Sequence, residues 1–494
     1  MIRAAGPIGV LAAALVAAPA SSANERTSLK EALALQETLQ QAIHEAEPAI
    51  ACILVSRSDA YRQSGQGPSS DEPGSLGSFD AQKPSRLPRP ELKKLDLADP
   101  ENVPESFGSG VVIDARGLIL TNYHVVREAT KIYVRLPGLP GSYADIHAAD
   151  PRSDLAVLRL IDKRPVKPIR LGDGGQVRKG QFVLTIANPF VAGFRDGSPS
   201  ASWGIVSDLR RKMPGPASET ELTKTLHHYG TLIQTDTRLN LGCSGGALID
   251  LKGELIGLTT ALPVTSGADT AGALAIPIDA GIRRVIEVLR RGEEVEYGFL
   301  GVVLSKSNWG DGVHLADVGR DSPAWRAGLR QGDTVLAVNG VPVRDTDELY
   351  LAVGTLLAGS EAKLLVRSPG STARTVSVKL AKYRVSDKLG PIIASQRPAP
   401  VRGLRVDYSS ILLQGSGVLS GALSMPPGVC IREVQPNSPA EVAHLKVHDI
   451  ITEVNRRPVH TPADFYREAG RVVGPLELTL LDPASNRTRL VRLP

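Results

Sequence analysis

Cysteine is nearly missing from this 494-residue chain: only Cys52, Cys243 and Cys430 occur, far apart along it. An odd, widely spaced trio is neither a disulfide framework nor a ligand set, and the nine histidines are scattered. No metal and no organic cofactor is therefore expected. Aromatic residues are also scarce, at 4%. Charge of one sign is concentrated nowhere: 57 basic residues face 52 acidic ones, a net charge of +5. No basic block interleaved with aromatics occurs, which argues against nucleic acid as a partner. Long hydrophobic runs are missing too; the run from about Ile8 to Ala18 falls short of the ~20 residues that cross a bilayer. What remains is an ordinary globular composition, 42% hydrophobic and 22% charged, on a length that suggests roughly three domains. With 48 glycines and 36 prolines, compact turn-rich β modules are favoured over helical bundles.

Residues 1–23 read as a signal peptide: Arg3, then the apolar run, then a small-residue cleavage site at Ser21-Ser22-Ala23. A soluble, extracytoplasmic mature protein is expected. Residues 24–57 should hold a helix and a first strand. The helix is placed at Ser28 to Glu47, opened by the capping box Ser28-Leu29-Lys30-Glu31, with Leu35, Leu39, Ala42 and Ala46 on one face and Pro48 at its end. Residues 58–106 are low-complexity, rich in Ser, Gly and Pro, and read as a long loop. From 107 to 292, short apolar runs separated by turns (Val111 to Ile113, Leu118 to Leu120, Leu155 to Leu160, Phe182 to Ile186, Leu255 to Leu258) predict a mainly β barrel or sandwich. This domain takes in the strand at 49–57, and a helix over Pro277 to Leu289 closes it.

An internal repeat follows. Gly312-Val313, Asp321-Ser322-Pro323-Ala324 and Asp333 to Asn339 recur 116 residues later as Gly428-Val429, Asn437-Ser438-Pro439-Ala440 and Asp449 to Asn455. Two copies of one domain, over 296–384 and 400–494, account for this. In each copy Ser-Pro-Ala has the chemistry of a helix start: the serine oxygen caps, and proline sits where its missing N–H costs nothing.

Three segments carry the chemistry. His124 ends the apolar run Leu120 to Val126, Asp154 leads into Leu155 to Leu158, and Ser244 lies in Gly242-Cys243-Ser244-Gly245-Gly246. The order His, Asp, Ser, spaced by 30 and 90 residues in one β-rich region, is that of chymotrypsin-like double β-barrels. A serine hydroxyl needs an adjacent base, a role open to His124, and Asp154 would fix the imidazole tautomer. The backbone N–H groups of Gly242 and Ser244 are the expected oxyanion donors.

The same segments, GSGVVI, LTNYHVV, SDLAVL, GCSGGAL and ALAIP, resemble the protease core of the HtrA (Deg) family, and the repeats resemble its PDZ domains. The resemblance covers nearly all of the chain from Ala49 to Pro494. It implies a chymotrypsin-fold serine endoprotease of the periplasm that degrades unfolded or damaged proteins. Homotrimers or multiples of trimers are expected, with peptide capture by PDZ domains. On this pattern Ala273, Leu274 and Ala275 would wall a shallow specificity pocket for small aliphatic residues. Phe299, Leu300, Gly301 and Val302 would form the loop of the first PDZ domain that holds C-terminal peptides. Two departures stand out. Cys243 replaces the usual Asn before the nucleophile, either as a tolerated small residue or as a redox element. In the second repeat Arg405 stands where the loop glycine is expected, and His444 and His448 replace Gly328 and Gly332. The contrasting functions are a catalytically silent PDZ scaffold or holdase, and a protease with one dedicated signalling client.

Overall fold

The computed structural model describes residues 21–57, 96–99, 104, 106–193, 195–213, 224–260, 272–305, 311–415, 424–471, 473–482 and 485–494. Residues 1–20 of the signal peptide expected over 1–23, and most of the low-complexity stretch, lie outside them.

The runs of β-branched and aliphatic residues close into two six-stranded antiparallel barrels. The first contains β1 (Ile50–Ser56), β2 (Ser106–Asp114), β3 (Leu118–Asn122), β4 (Lys131–Arg135), β5 (Ser142–Asp150) and β6 (Leu155–Leu160). They run in the order β5-β4-β1-β2-β3-β6, and a β5–β6 pairing closes the cylinder. The second is preceded by β7 (Arg170–Leu171). Its own strands are β8 (Phe182–Ala187), β9 (Ser200–Arg211), β10 (Leu232–Thr235), β11 (Ala247–Ile249), β12 (Glu254–Thr260) and β13 (Ala273–Pro277). Their order is β11-β8-β9-β10-β13-β12, closed by β11–β12, with β7 added in parallel to β12. Closure leaves neither barrel with a free sheet edge to guard. One continuous core fills the first barrel and the space between the two, from Ala42 to Tyr297. A smaller cluster of Val183, Val206, Ile233, Leu248 and Ala275 fills the second.

The N-terminal helix spans Ser21–Ala46, so it starts a full two turns before the expected Ser28. Ser28 therefore sits inside the helix, and the capping box there is not used. The expected face does bury: Ala42 and Ala46 are 1% exposed and Leu39 packs beside them. Lys167 Nζ donates to the Glu45 carbonyl at 3.1 Å, which pins this end to the protein's own barrels. The closing helix runs over Ala280–Arg290, three residues later than expected, because Asp279 caps it by accepting from the Ile282 N–H at 2.9 Å. Within the stretch read as loop, Leu97 is fully buried against Cys52, Leu54 and Tyr133.

The repeated C-terminal units each form a small sheet with two helices. In both, the predicted Ser-Pro-Ala start is present: Ser322 accepts from the Trp325 N–H before helix Pro323–Arg326, and Ser438 accepts from Glu441 before Pro439–Val442. Each unit also has a longer helix, Thr346–Gly354 in the first and Pro462–Ala469 in the second. A buried ionic knot joins the units to the protease. Lys382, 6% exposed, contacts Glu294 at 2.8 Å, Glu296 at 3.2 Å and Asp407 at 2.8 Å, and Arg432 bridges Glu294 and Asp407. Among the described residues no helix is long and apolar enough to cross a membrane, and no acidic, His or Cys cluster could hold a metal ion.

Candidate active site

His124 lies in a single helical turn, Tyr123–Val126, at the end of β3. Asp154 precedes β6, the strand paired with β3, so barrel pairing itself brings residues 30 apart in sequence side by side. The Asp154 Oδ2 lies 2.8 Å from His124 Nδ1, and its Oδ1 accepts the His124 main-chain N–H at 3.0 Å. The Asp154 carbonyl accepts from Asn122 Nδ2 and from the Tyr123 N–H at 2.9 Å. The His124 ring is 42% exposed at the cleft whereas Asp154 is 13% exposed. Burial disfavours the imidazolium, but the Asp154 charge and hydrogen bond outweigh it and hold His124 above its ordinary value. Burial likewise raises the Asp154 carboxyl, and the histidines beside it, His124 and His227, reverse that, leaving it below the usual carboxylate range.

Ser244 comes from the other barrel, in the turn before β11. The Ser109 N–H donates to the Ser244 carbonyl at 2.8 Å. Gly108 has room only for hydrogen: a Cβ there would lie 2.6 Å from Val125 Cγ1 and 3.2 Å from the Ser244 carbonyl. The Ser244 turn and the His124 turn thus meet across one glycine. Ser109 Oγ also donates to the Gly242 carbonyl at 2.7 Å and accepts from the Asn188 N–H at 2.8 Å. Within the turn, Cys243 N–H donates to Asn240 and Gly245 N–H to Thr259, which removes both as oxyanion donors. Gly242 and Gly245 have φ of +93° and +83°, and a Cβ on Gly245 would lie 2.1 Å from the Ser109 carbonyl, so glycine is required there. Cys243 Sγ is turned inward and accepts from Asn240 N–H at 3.4 Å; burial raises its thiol.

Residues 108–258, which hold all three side chains, match the trypsin-like peptidase domain family; 314–367 and 411–464 each match the PDZ domain family. A probable periplasmic serine endoprotease DegP-like of Pseudomonas fluorescens is 32% identical over 392 residues, covering 77% of this chain and 76% of that protein. The chain belongs to the HtrA (DegP-like) family of serine endoproteases. The periplasmic serine endoprotease DegP of Salmonella typhimurium is 31% identical over 371 residues, 73% of this chain and 71% of its own. A solved HtrA-type protease, AlgW with tripeptide, is 27% identical and covers 70% of this chain and 97% of its own, with a TM-score of 0.49.

The remaining expected site residues of this HtrA-type protease fall less simply. Ala275 fills the interior of the second barrel, and Leu274, 5% exposed, belongs to the main core. Both lie mid-strand in β13, paired on both sides. Ala273 starts that strand, and 261–271 lie outside the described residues. In the first PDZ unit Gly301 has φ +82°, and a Cβ there would lie 2.3 Å from Ser322 Cβ. Leu300 and Val302 pack on that unit's core, while Phe299 packs with Ala381 and Tyr408 at the junction with the second unit.

In the second unit the counterpart of Gly301 is Gly403, not Arg405. Gly403 has φ +87° and its Cβ position faces Ser438 as that of Gly301 faces Ser322. The supporting bonds recur as well: Ala324 N–H to Leu300 and Gly319 N–H to Gly301 in one, Ala440 N–H to Arg402 and Gln435 N–H to Gly403 in the other. One difference separates them. The Leu404 N–H is spent on the Val401 carbonyl at 2.9 Å, and Tyr466 OH accepts from Val406 N–H at the strand edge.

Sequence reasoning missed four supporting residues. Arg57 donates to the carbonyls of Val125 and Arg127 behind the His124 turn. Buried His227 contacts the Ser153 carbonyl through Nε2 at 2.8 Å. Ser109 and Asn188 knit the two barrels. Arg57, Asn188 and His227 stand in none of the motifs singled out above, and Ser109, although inside GSGVVI, shows no sign there of its bonds; the spacing that makes them useful exists only after the barrels close.

Proposed function

We propose that this chain is an exported, periplasmic serine endoprotease that cleaves unfolded or damaged envelope proteins. The observation that carries the reading is the two-point grip of Asp154 on His124, in the cleft where the Ser244 turn of the second barrel meets the His124 turn of the first. In this reading Ser244 Oγ attacks the peptide carbonyl while His124 Nε2 takes its proton, then returns it to the leaving amine. Asp154, held on Nδ1, keeps that proton-accepting nitrogen facing the serine and stabilises the imidazolium. The N–H groups of Gly242 and Ser244 receive the oxyanion; losing one such donor raises the barrier by about 3 kcal/mol. Water then repeats the sequence on the acyl-enzyme.

The first PDZ unit captures C-terminal peptides through Leu300, Gly301 and Val302, whose glycine has the open backbone such a loop needs. Its family supports assembly in trimers. The test is casein digestion with and without C-terminal peptides. Wild type degrades casein, faster with peptide, and Ser244→Ala does not. Digestion by Ser244→Ala at the wild-type rate, or none by wild type under every activating peptide, would contradict the reading.

A further inference from the structure

Two residues before Asp154, Arg152 belongs to two parts of the molecule at once. The residue is 4% exposed, and its side chain leaves the protease for the first PDZ unit. There the guanidinium lies between the Tyr297 ring at 4.5 Å and the Tyr383 ring at 4.0 Å. Its Nη2 would sit 3.0 Å from a Cβ on Gly354. Tyr297 leads into that unit, Tyr383 leaves it, and Gly354 ends its helix Thr346–Gly354; the Tyr383 N–H donates to the Tyr297 carbonyl at 2.7 Å. The Tyr297 hydroxyl also donates to buried Asp150, which accepts the Ser153 N–H at 2.9 Å.

The Arg152 main chain, by contrast, belongs to the active site. Its carbonyl accepts from the Leu226 N–H at 2.9 Å, His227 holds the next carbonyl, and Asp154 follows with φ +54°. A left-handed aspartate persists only where its surroundings over-determine it. The helix Thr346–Gly354 of the first PDZ unit touches this same region: the Tyr350 and Tyr229 rings are 5.3 Å apart, and Glu348 pairs with Arg210 at 2.8 Å. Arg152 Nη1 is buried without a hydrogen-bond partner, and the two rings hold the guanidinium near the charge of buried Asp150.

Resting on the triad assignment above, we infer that Arg152 is a positioning residue: clamped by Tyr297 and Tyr383 of the first PDZ unit, it fixes the Asp154 backbone in the conformation that grips His124. The charged and titratable groups facing the pair are Arg57 beside His124, and His227 and Tyr123 beside Asp154. None of the three is altered by replacing Arg152.

The test compares full-length wild type, Arg152→Ala, Arg152→Lys and Ser244→Ala for kcat, KM and pH profile on one peptide substrate, with thermal unfolding alongside. Small misplacement of a catalytic group costs on the order of 10²-fold in rate, and a loss of that size in kcat is expected for Arg152→Ala, with KM little changed. Its acid limb should move to lower pH as Asp154 loosens from His124, and Arg152→Lys should recover part of both. If Arg152→Ala fails to fold, Tyr383→Leu, which removes one face of the clamp, carries the same expectation. A wild-type kcat and an unmoved acid limb, with only a lower Tm, would overturn the inference. Activity retained by Ser244→Ala would instead defeat the triad reading itself.

Discussion

Asp154 spends both carboxylate oxygens on one neighbour, the ring and the main chain of His124. Replacing it by Asn keeps the shape but presents the wrong hydrogen-bonding face, so Asp154→Asn should lower kcat by about 10⁴-fold. The sign of the pH effect follows from the raised His124. The base works only when neutral, so wild-type activity falls as pH drops through a value above the ordinary imidazole pKa of about 6.5. Without the Asp154 charge that acid limb should shift downward, which a kcat/KM profile on the residual activity measures. The cysteines act differently. Burial pushes Cys52 and Cys430 up to about 12 and raises Cys243. The native protein should therefore resist a thiol-modifying reagent such as iodoacetamide and react at all three positions only when unfolded; rapid native labelling of Cys243 would revive a redox role. At this scale the three candidate residues could be picked out because each stands in its own short motif and their order His, Asp, Ser is that of one fold. Ser109 and His227 were not, since a serine or histidine contact to a carbonyl leaves no mark in sequence.

Among elements, the β2 strand and the Ser244 turn depend on each other through Ser109, whose hydroxyl bonds on both sides in a fully buried position. Ser109→Ala strands two buried main-chain groups, each worth about 1–3 kcal/mol, and should lower both Tm and kcat. In the second PDZ unit His448 holds φ +76°, where the first has Gly332 at +87°. A side chain there costs about 1–2 kcal/mol, partly offset by the freedom glycine gains when unfolded. His448→Gly should thus stabilise the protein by about 0.5–1 kcal/mol, read by denaturant melting. Apolar strands such as Leu155–Leu160 were visible from composition, whereas Ser142–Asp150 and Ser200–Arg211 were hidden by polar residues and take their shape from barrel pairing. The helix start was misplaced because a capping-box pattern competes with continuation, and nothing between Ser21 and Ser28 breaks a helix. Gly403 was passed over for Arg405 because this loop recurs after 102 residues, 14 fewer than the 116 of the segments downstream, an offset that only the backbone reveals.

For the whole molecule, the repeat and the barrel were readable, but the way the units lock together was not. The knot around Lys382 draws Glu294 from the protease linker and Asp407 and Arg432 from the second PDZ unit, residues whose convergence no local pattern encodes. Lys382→Met would leave three carboxylates facing one another with Arg432 as their remaining cation, and removing one partner from a buried ionic group costs about 3–5 kcal/mol. The variant should melt well below wild type, and adding Asp407→Asn should recover part of the loss. All of these interactions matter to function only if the two barrels present one working serine. Fluorophosphonate labelling of the full chain, with the modified peptide located by mass spectrometry, asks this directly. A single adduct on Ser244, lost in His124→Ala and in Ser244→Ala, is the predicted result. An adduct at another serine, or equal labelling of Ser244 when His124 is gone, would contradict it.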